Sequence, residues 1–265
     1  MLVHLIADFG ANDLAFAEVT QAVLTQLPAA QPVPTSVGPF DTLAAGFVAA
    51  QLAAAPAPSG ALMLLNVAPR RDDKGPRVDN DGERLLVAEL PSGFRVLGVD
   101  AGYAFSFLAL AARQLWAVDW PTKGSQFRSR DLFPEALAHL HAGSLKALEP
   151  GPHEVTVPAV PDSCVAYIDG FGNVKTTIEW SEDLARHAGG EIEVEVAGVR
   201  HPARLAGGSF AVSEGELAVA PGSSGFQRAG TGERVRWVEL FLRGGSAAGA
   251  TRVVASGTPI ILHLH

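Results

Sequence analysis

The 265-residue chain is short of cysteine and of positive charge. Its one cysteine, Cys164, excludes an intrachain disulfide, which predicts a reducing compartment. Lysine and arginine number 20 against 28 aspartates and glutamates, so the formal net charge is −8 and the isoelectric point is near 5.5. An acidic chain of this kind disfavours nucleic acid or an anionic membrane surface as a partner.

Long apolar runs and the glycine motifs of common nucleotide enzymes are also missing. The opening apolar stretch, residues 2–7, is too short for a signal peptide or a membrane span and predicts a buried first strand. We therefore expect a cytoplasmic protein without a membrane partner. No G-x-G-x-x-G segment or P-loop lies in a useful place, which disfavours dinucleotide and ATP enzymes of those classes.

Hydrophobic residues make up 48% of the chain, which is ample for a buried core. The first part alternates strand-like and helix-like patterns, so we predict an α/β domain with a largely parallel central sheet. The predicted strands cover residues 2–7, 61–67, 84–90 and 94–99. One predicted helix follows Asp13, a second begins near Asp41 or Thr42, and two more cover residues 105–113 and 133–141. The mixed charges of residues 70–84 predict a solvated loop.

Proline-rich stretches at 149–152 and 157–161 predict a domain boundary. We place the α/β domain at 1–150, a proline-rich linker at 151–161 and a smaller all-β domain at 162–265. Short strands at regular spacing predict an antiparallel barrel or sandwich for that second domain. These strands are predicted at residues 164–168, 174–178, 191–199, 215–220, 234–242 and 252–265.

Residues 169–173, Asp-Gly-Phe-Gly-Asn, lie between two alternating runs and predict a β-hairpin turn. Glycine accepts positive φ at no steric cost, so Gly170 and Gly172 fit a structural turn. The turn also carries a carboxylate, an aromatic ring and an amide: Asp169, Phe171 and Asn173. These side chains could hold an amine, a planar ring and a polar edge of one small ligand.

Asp8 follows the first predicted strand. Ligands of open α/β sheets bind at the carboxyl ends of strands, where a carboxylate can accept hydrogen bonds from a ribose diol. A capping or turn-stabilising role is the equal alternative.

Two H-x-H pairs and one serine pair are weaker candidates. His139 and His141 lie on a predicted helix, where residues two apart diverge, and the pair at 263–265 has no third ligand, so we expect no metal site. Ser223 and Ser224 lie in a predicted loop without a G-x-S-x-G elbow, which favours hydrogen bonding to a ligand over nucleophilic catalysis.

Five motifs in sequence order resemble the S-adenosylmethionine (SAM) hydroxide adenosyltransferases and the related fluorinases and chlorinases. The resemblance spans nearly the whole chain. The matching segments are Ala7-Asp8-Phe9-Gly10 with Asp13, Gly38-Pro39-Phe40-Asp41, Ile168-Asp-Gly-Phe-Gly-Asn173 through Ile178, Gly222-Ser-Ser-Gly-Phe226, and Val238-Glu-Leu-Phe241 with Gly245-Ser-Ala-Ala248.

The resemblance implies an adenosyl-binding N-terminal domain and a β-barrel C-terminal domain, assembled as a homotrimer. SAM, as substrate or ligand rather than cofactor, would bind between one subunit's N-terminal domain and its neighbour's C-terminal domain. Asp8 would hold the ribose hydroxyls and Phe40 would line the pocket. The methionine end and the adenine would contact the remaining matched residues, which are Asp169, Phe171, Asn173, Ser223 and Ser224.

The chain departs from the family where the family activates water. The family's Asp and His fall on Ala68 and Arg128, and the Asn of a third motif falls on Ala101. Arg70, Arg71 and Arg128 could instead supply positive field to a nucleophile. Ser129 matches a serine that lies near the halide in fluorinases.

Three interpretations follow from these departures. The leading one is an adenosyltransferase with altered machinery, which displaces methionine from the ribose C5′ with water or a halide. The second is an adenosyl-binding trimer without turnover, and the third is a purely structural trimer. Loss of two catalytic side chains would remove most acid–base help, so the usual hydrolytic mechanism is disfavoured.

Overall fold

A computed structural model describes residues 1–69, 75–148 and 155–264. The chain divides into two compact units, Met1–Ala159 and Val160–His265. The predicted linker at 151–161 falls partly outside the described residues, so its bounds remain a prediction. Within the described ranges, no helix is both long and apolar enough to cross a membrane.

The first unit has a six-stranded sheet with helices on both faces. The strands are β1 (Leu2–Ala7), β2 (Gln31–Ser36), β3 (Leu62–Asn66), β4 (Leu85–Glu89), β5 (Arg95–Val99) and β6 (Gln114–Ala117). The helices are α1 (Leu14–Gln26), α2 (Thr42–Ala54), α3 (Ser106–Ala111), α4 (Arg128–Asp131) and α5 (Phe133–Ala142), with a 3₁₀ turn at Val78–Asn80.

The strand order is β2-β1-β3-β5-β4-β6. β2, β1, β3 and β5 pair in parallel, whereas β4 pairs antiparallel with both β5 and β6. The predicted α/β domain with a largely parallel sheet is therefore confirmed.

Burial on both faces explains why these strands read as continuous apolar runs. Val3, Leu5, Leu62 and Leu64 share one core cluster with residues of α1 and α5. Alternate strand residues point to the opposite face, where α2 packs over the strands and against α3. Parallel sheets covered on both sides have this sequence character.

The predicted helix starts agree with the structure. Asp13 caps α1 by accepting a hydrogen bond from the Ala15 backbone N–H at 2.8 Å, and Asp41 caps α2 by accepting one from the Ala44 backbone N–H at 2.9 Å. These side chains satisfy backbone donors that have no partner within the helix.

Sequence patterns missed β2, β6 and α4. The β2 sequence, Gln-Pro-Val-Pro-Thr-Ser, carries two prolines, which argue against a strand in the middle of a sheet. β2 lies at the sheet edge, where a missing backbone donor is tolerated. The four-residue helix α4 is too short for a helical period to be visible.

The second unit is an all-β domain with a curled, half-barrel sheet, which confirms its predicted class. Its seven strands have the order β13-β9-β10-β11-β12-β8-β7. They are β7 (Val165–Ile168), β8 (Val174–Glu179), β9 (Glu191–Val196), β10 (Val199–Leu205), β11 (Leu217–Gln227), β12 (Arg234–Leu242) and β13 (Ile260–Leu264). Two short helices, α6 (Glu182–Arg186) and α7 (Ala247–Thr251), complete it.

The sheet differs in detail from an antiparallel barrel. β10 and β11 pair in parallel over a short register, so the sheet is mixed. The edge strands β7 and β13 approach each other where they begin. Cys164, just before β7, forms a bridge with Pro259, just before β13, and the Val165 N–H donates to the Thr258 carbonyl at 2.9 Å. The strands themselves remain the two edges of the curled sheet.

Three predicted segments of this unit have different bounds in the structure. The strand predicted at 191–199 divides into the β9–β10 hairpin, because Ala197 and Gly198 both take positive φ and turn the chain. The predicted loop at 221–225 lies inside β11 as a register shift. Of the described residues 252–264 in the strand predicted at 252–265, Ile260–Leu264 form a strand.

Close helix packing in the first unit depends on Gly46. A Cβ at this position of α2 would lie 2.3 Å from the Tyr103 carbonyl oxygen. Overpacking costs about 1–3 kcal/mol, against ~1 kcal/mol gained by alanine over glycine inside a helix. We therefore expect Gly46→Ala to lower the midpoint of urea unfolding measured by circular dichroism.

Gly10→Ala is the matched control, because nothing lies within 4 Å of its added Cβ. Its midpoint should stay close to that of the wild type. An unchanged midpoint for Gly46→Ala would show that overpacking against the Tyr103 carbonyl costs no more than the helix propensity that alanine adds.

Candidate functional site

A cavity of about 680 Å³ opens in the first unit at the carboxyl edge of the parallel strands. Asp8 follows β1, Asn66 ends β3 and Asp100 follows β5, and all three line the cavity. Ligand sites of open α/β sheets lie at this edge. The placement of Asp8 therefore fits the ligand interpretation made from the sequence.

Asp8 also has the structural role considered as its alternative. Its Oδ2 accepts a hydrogen bond from the Phe40 backbone N–H at 2.9 Å. Phe40 has φ of 61° and a side chain that is 44% exposed, so Asp8 stabilises a strained turn. Asp8 Oδ1 accepts no hydrogen bond from the part of the chain that the structure describes.

Arg128 is anchored in the cavity wall rather than directed to solvent. Its Nη1 donates to the Glu83 carbonyl at 2.8 Å, and the guanidinium lies 5.3 Å from the Phe133 ring centroid. A Cβ on Gly82 would lie 2.1 Å from Arg128 Nη2, so the glycine leaves room for this contact. Burial lowers the pKa of Arg128 and the charges of Glu83 and Asp81 oppose that shift, but a guanidinium stays protonated at neutral pH.

Arg77 and Glu83 form an ion pair beside Arg128. Arg77 Nη1 donates to Glu83 Oε1 at 2.9 Å, and Glu83 Oε2 lies 3.8 Å from Arg128 Nη2. Burial alone would raise the pKa of Glu83. Hydrogen bonds from its own backbone and from Arg77, with the charges of Arg77 and Arg128, outweigh burial and lower that pKa.

This ion-pair cluster corrects part of the sequence prediction for residues 70–84. The described residues 77, 81, 82 and 83 line the cavity instead of forming a solvated loop. A charged run interrupted by Gly82 could have indicated a packed loop, but mixed charge alone does not distinguish the two.

The other predicted catalytic candidates have different outcomes. Ser129 is 5% exposed at the start of α4 and lines the cavity beside Arg128. Ala68 and Ala101 also line it, without a titratable group. Arg70 and Arg71 lie outside the described residues.

In the second unit, Asp169 organises the β7–β8 turn. Its Oδ1 accepts hydrogen bonds from the backbone N–H groups of Phe171 and Asn173, and its Oδ2 accepts one from Asn173 Nδ2, all at 3.0 Å. Burial opposes ionisation, but these hydrogen bonds and the charge of Lys175 outweigh it and lower the pKa of Asp169. Most acceptor positions of this carboxylate are therefore used by its own hairpin.

The Phe171 ring is 84% exposed at the tip of that turn. Gly172 takes φ of 81°, and a Cβ there would lie 2.0 Å from Ser246 Oγ. The Ala248 N–H donates to the Gly172 carbonyl, so the closing segment that carries α7 packs on the hairpin. Two motifs far apart in sequence therefore meet in this unit.

Lys175 and Glu239 connect the hairpin to the serine pair. Lys175 Nζ contacts the buried Glu239 carboxylate and lies 3.7 Å from Asp169 Oδ2. Gly222 lies against Glu239, and Ser223 and Ser224 follow it in the β11 bulge.

The two serines differ in burial. Ser223 is exposed, whereas Ser224 is 8% exposed and its Oγ has no hydrogen-bond partner in the described structure. Sequence reasoning missed both Lys175 and Glu239. A charged residue within the apolar run of β12 was the available signal for Glu239.

His139 and His263, one from each H-x-H pair, have partners within their own units. His139 lies on α5 with Nδ1 2.8 Å from Ser144 Oγ, and His263 Nε2 lies 2.9 Å from Glu195 Oε2 on the neighbouring strand. His265 lies outside the described residues. Across residues 1–69, 75–148 and 155–264, no group of three or more His, Cys, Asp or Glu could hold a metal ion.

The fold and the cavity define a two-domain protein with a ligand-sized site in its α/β part. The N-terminal domain of SAM hydroxide adenosyltransferases matches residues 3–149, and the C-terminal domain of the same enzymes matches residues 163–258. The chain therefore belongs to the SAM hydroxide adenosyltransferase family. Comparison with curated proteins gives no match.

Two solved structures share the fold. An uncharacterized conserved protein from Thermotoga maritima is 21% identical with a TM-score of 0.75, covering 98% of this chain and 99% of that one. A conserved hypothetical protein from Thermus thermophilus is 24% identical with a TM-score of 0.62, covering 98% of each chain. Their similarity supports the architecture alone.

Asp169 generates a stability prediction. Asp169→Ala leaves three donors of the hairpin without their acceptor, so we expect a loss of about 1–3 kcal/mol in the free energy of unfolding at neutral pH. Because the folded-state pKa is lowered, the contribution of Asp169 is present above its unfolded pKa and is lost as the pH falls through the folded value. The difference from wild type should therefore shrink below about pH 4.

Urea unfolding at several pH values measures this difference. Asp183→Ala is the control, because the side chain of Asp183 is 59% exposed in its ion pair with Arg186. Exposed pairs contribute little, so we expect a change of less than about 1 kcal/mol. Equal losses for the two variants would contradict the organising role of Asp169.

Proposed function

We propose that this protein binds S-adenosylmethionine and catalyses displacement of methionine from the ribose C5′ by water, giving adenosine and methionine. The observation that carries the proposal is Asp8 in the wall of the α/β cavity, in a chain whose two parts both match this family. A volume of about 680 Å³ is within the range of small-molecule pockets.

Asp8 Oδ1 is the acceptor for the ribose hydroxyls in this proposal. Phe40 is not among the described residues that line the cavity, but its backbone N–H donates to Asp8 Oδ2, so its side chain would contact the ligand from beside Asp8. The methionine end and the adenine would contact Asp169, Phe171, Asn173, Ser223 and Ser224 of a neighbouring subunit in a homotrimer. The resemblance of these motifs to the family supports this part of the proposal.

The chemistry requires an aligned nucleophile more than an acid. The oxygen of water forms a bond to C5′, the C5′–S bond breaks, and its electron pair neutralises the sulfonium to give the thioether of methionine. The water must also lose a proton. Ala68 cannot accept one and the Arg128 guanidinium is already protonated, so general-base help of about 10²–10⁴-fold is missing at these two positions.

A second candidate, binding without turnover, is favoured by the same two positions. The Glu83 carbonyl holds Arg128 in the wall at 2.8 Å, so Arg128 stabilises the site whether or not chemistry follows. A halide nucleophile is the third possibility. It needs no deprotonation, and Ser129 lies beside Arg128 in the cavity wall.

We expect the purified protein to convert SAM to adenosine and methionine in a chromatographic assay, with the same products in the presence of chloride. Micromolar binding by calorimetry without turnover would favour the second candidate, and chlorinated adenosine the third. Absence of adenosine formation would overturn the proposed hydrolysis, and absence of binding as well would overturn the second candidate.

Asp8→Asn tests the ribose contact, because the amide keeps an acceptor for the Phe40 N–H but loses the charge. We expect SAM affinity measured by calorimetry to fall about 10- to 100-fold, as for loss of a hydrogen bond to a charged group. Asp13→Asn, a conservative change at an N-cap, is the control and should retain wild-type affinity. Equal affinities for wild type and Asp8→Asn would exclude Asp8 from the ribose site.

A further inference from the structure

We propose that Glu83 accepts the proton of the attacking water while Arg128 holds that water against it. This inference rests on the proposed function. It assigns a catalytic role to a residue that sequence reasoning had placed in a solvated loop. Four observations support it: the contacts of the cavity carboxylates, the distance between Glu83 and Arg128, the bonds that hold these two side chains in place, and the charge of Glu83.

Displacement by water releases a proton, so the cavity needs a group that can accept it. Among the residues that the structure describes, four carboxylates line the cavity: Asp8, Asp81, Glu83 and Asp100. In the proposed function Asp8 is used by the ribose. Asp100 accepts a hydrogen bond from Arg84 Nε at 2.8 Å and Asp81 accepts one from Thr122 Oγ1 at 2.7 Å.

Glu83 differs in the cation that its second oxygen faces, because Arg128 itself lines the cavity. The second oxygen of Asp81 lies 3.7 Å from Lys123 Nζ, and Lys123 is not among the described residues that line the cavity. Arg77 occupies Glu83 Oε1 at 2.9 Å, whereas Glu83 Oε2 lies 3.8 Å from Arg128 Nη2, beyond direct hydrogen-bond distance. A water molecule about 2.8 Å from both Glu83 Oε2 and Arg128 Nη2 would bridge the 3.8 Å between these two atoms. Arg128 would donate to the water oxygen, and the water would donate one proton to Glu83 Oε2.

The two groups are held in place before any ligand enters. Arg77 fixes the Glu83 carboxylate, and the Glu83 carbonyl fixes Arg128 through its Nη1. The side chains of Arg128 and Glu83 are 13% and 25% exposed, so both are substantially shielded from solvent yet reach the cavity. Preorganised groups lose little entropy when they position a reactant.

The charges agree with this assignment. The lowered pKa keeps Glu83 ionised at neutral pH, so its carboxylate is present to accept a hydrogen bond from water, but it also makes Glu83 a weaker base than an ordinary glutamate. In the step itself, water oxygen bonds to C5′, sulfur takes the electron pair of the broken C5′–S bond, and the water proton passes to Glu83 Oε2 and then to solvent. Atoms and charge balance without a metal or a redox partner.

The experiment compares wild type with Glu83→Gln, which keeps the size of the side chain but cannot take up the proton. We expect kcat for adenosine formation from SAM to fall about 100-fold, with the calorimetric Kd for SAM within about threefold of wild type. Glu89→Gln is the matched control, because Glu89 lies at the other end of β4 in an ion pair with Arg113. Its kcat should match that of wild type.

Azide separates proton acceptance from positioning of the substrate. It is an anionic nucleophile without a proton to lose, so Glu83→Gln should retain any azidoadenosine formation that wild type shows. A parallel loss of azide- and water-dependent turnover would overturn the inference. If wild type does not use azide, the comparison of kcat with Kd decides.

Two further outcomes would also overturn the inference: an unchanged kcat for Glu83→Gln, or a fall in kcat accompanied by a more than tenfold weaker Kd. Gly82→Ala provides a second variant, since its methyl group would lie 2.1 Å from Arg128 Nη2 and would force the guanidinium out of its position. It should lower kcat with little change in SAM affinity. Failure of the wild type to form adenosine would instead overturn the proposed function itself.

Discussion

Parallel pairing of β1, β3 and β5 places the carboxyl ends of three strands at one edge of the sheet, and the α/β site depends on it. Each strand delivers one polar residue there, namely Asp8, Asn66 and Asp100. The strands behind this edge are buried on both faces, so their register cannot slip without exposing apolar residues. The rigid sheet thus positions side chains on loops that would otherwise be mobile.

Charge inside the cavity is the second constraint. Two arginines and a glutamate stand close together in the wall, each partly removed from water. Arg77 pairs directly with the Glu83 carboxylate, whereas Arg128 is held chiefly by the Glu83 main-chain carbonyl. The same arrangement leaves one glutamate oxygen beside a cation, where a water molecule can be held.

The curled sheet of the second unit has a comparable ionic centre. Glu239 is 1% exposed, and Lys175 supplies the positive charge that a buried carboxylate requires. Asp169 lies near Lys175, and Gly222 of the β11 bulge lies against Glu239. The closing segment that carries α7 packs on the β7–β8 hairpin, which bears Lys175. The family motifs of this unit are therefore physically connected, although up to about 80 residues separate them in the chain.

Local patterns in the sequence determined the buried strands, the capped helices at Asp13 and Asp41, and the Asp169 hairpin, because each depends on residues that are close together in the chain. The order of the motifs along the chain determined its family. Local patterns did not determine β2, whose prolines are tolerated only at a sheet edge, or the bulge in β11. Tertiary structure alone decided that Arg77, Glu83 and Arg128 share one wall, and that Lys175 meets Glu239. Arg128 lies 45 residues from Glu83 and Lys175 lies 64 residues from Glu239, so no local pattern links them. Folding brings each pair together where reduced contact with water strengthens the attraction between opposite charges.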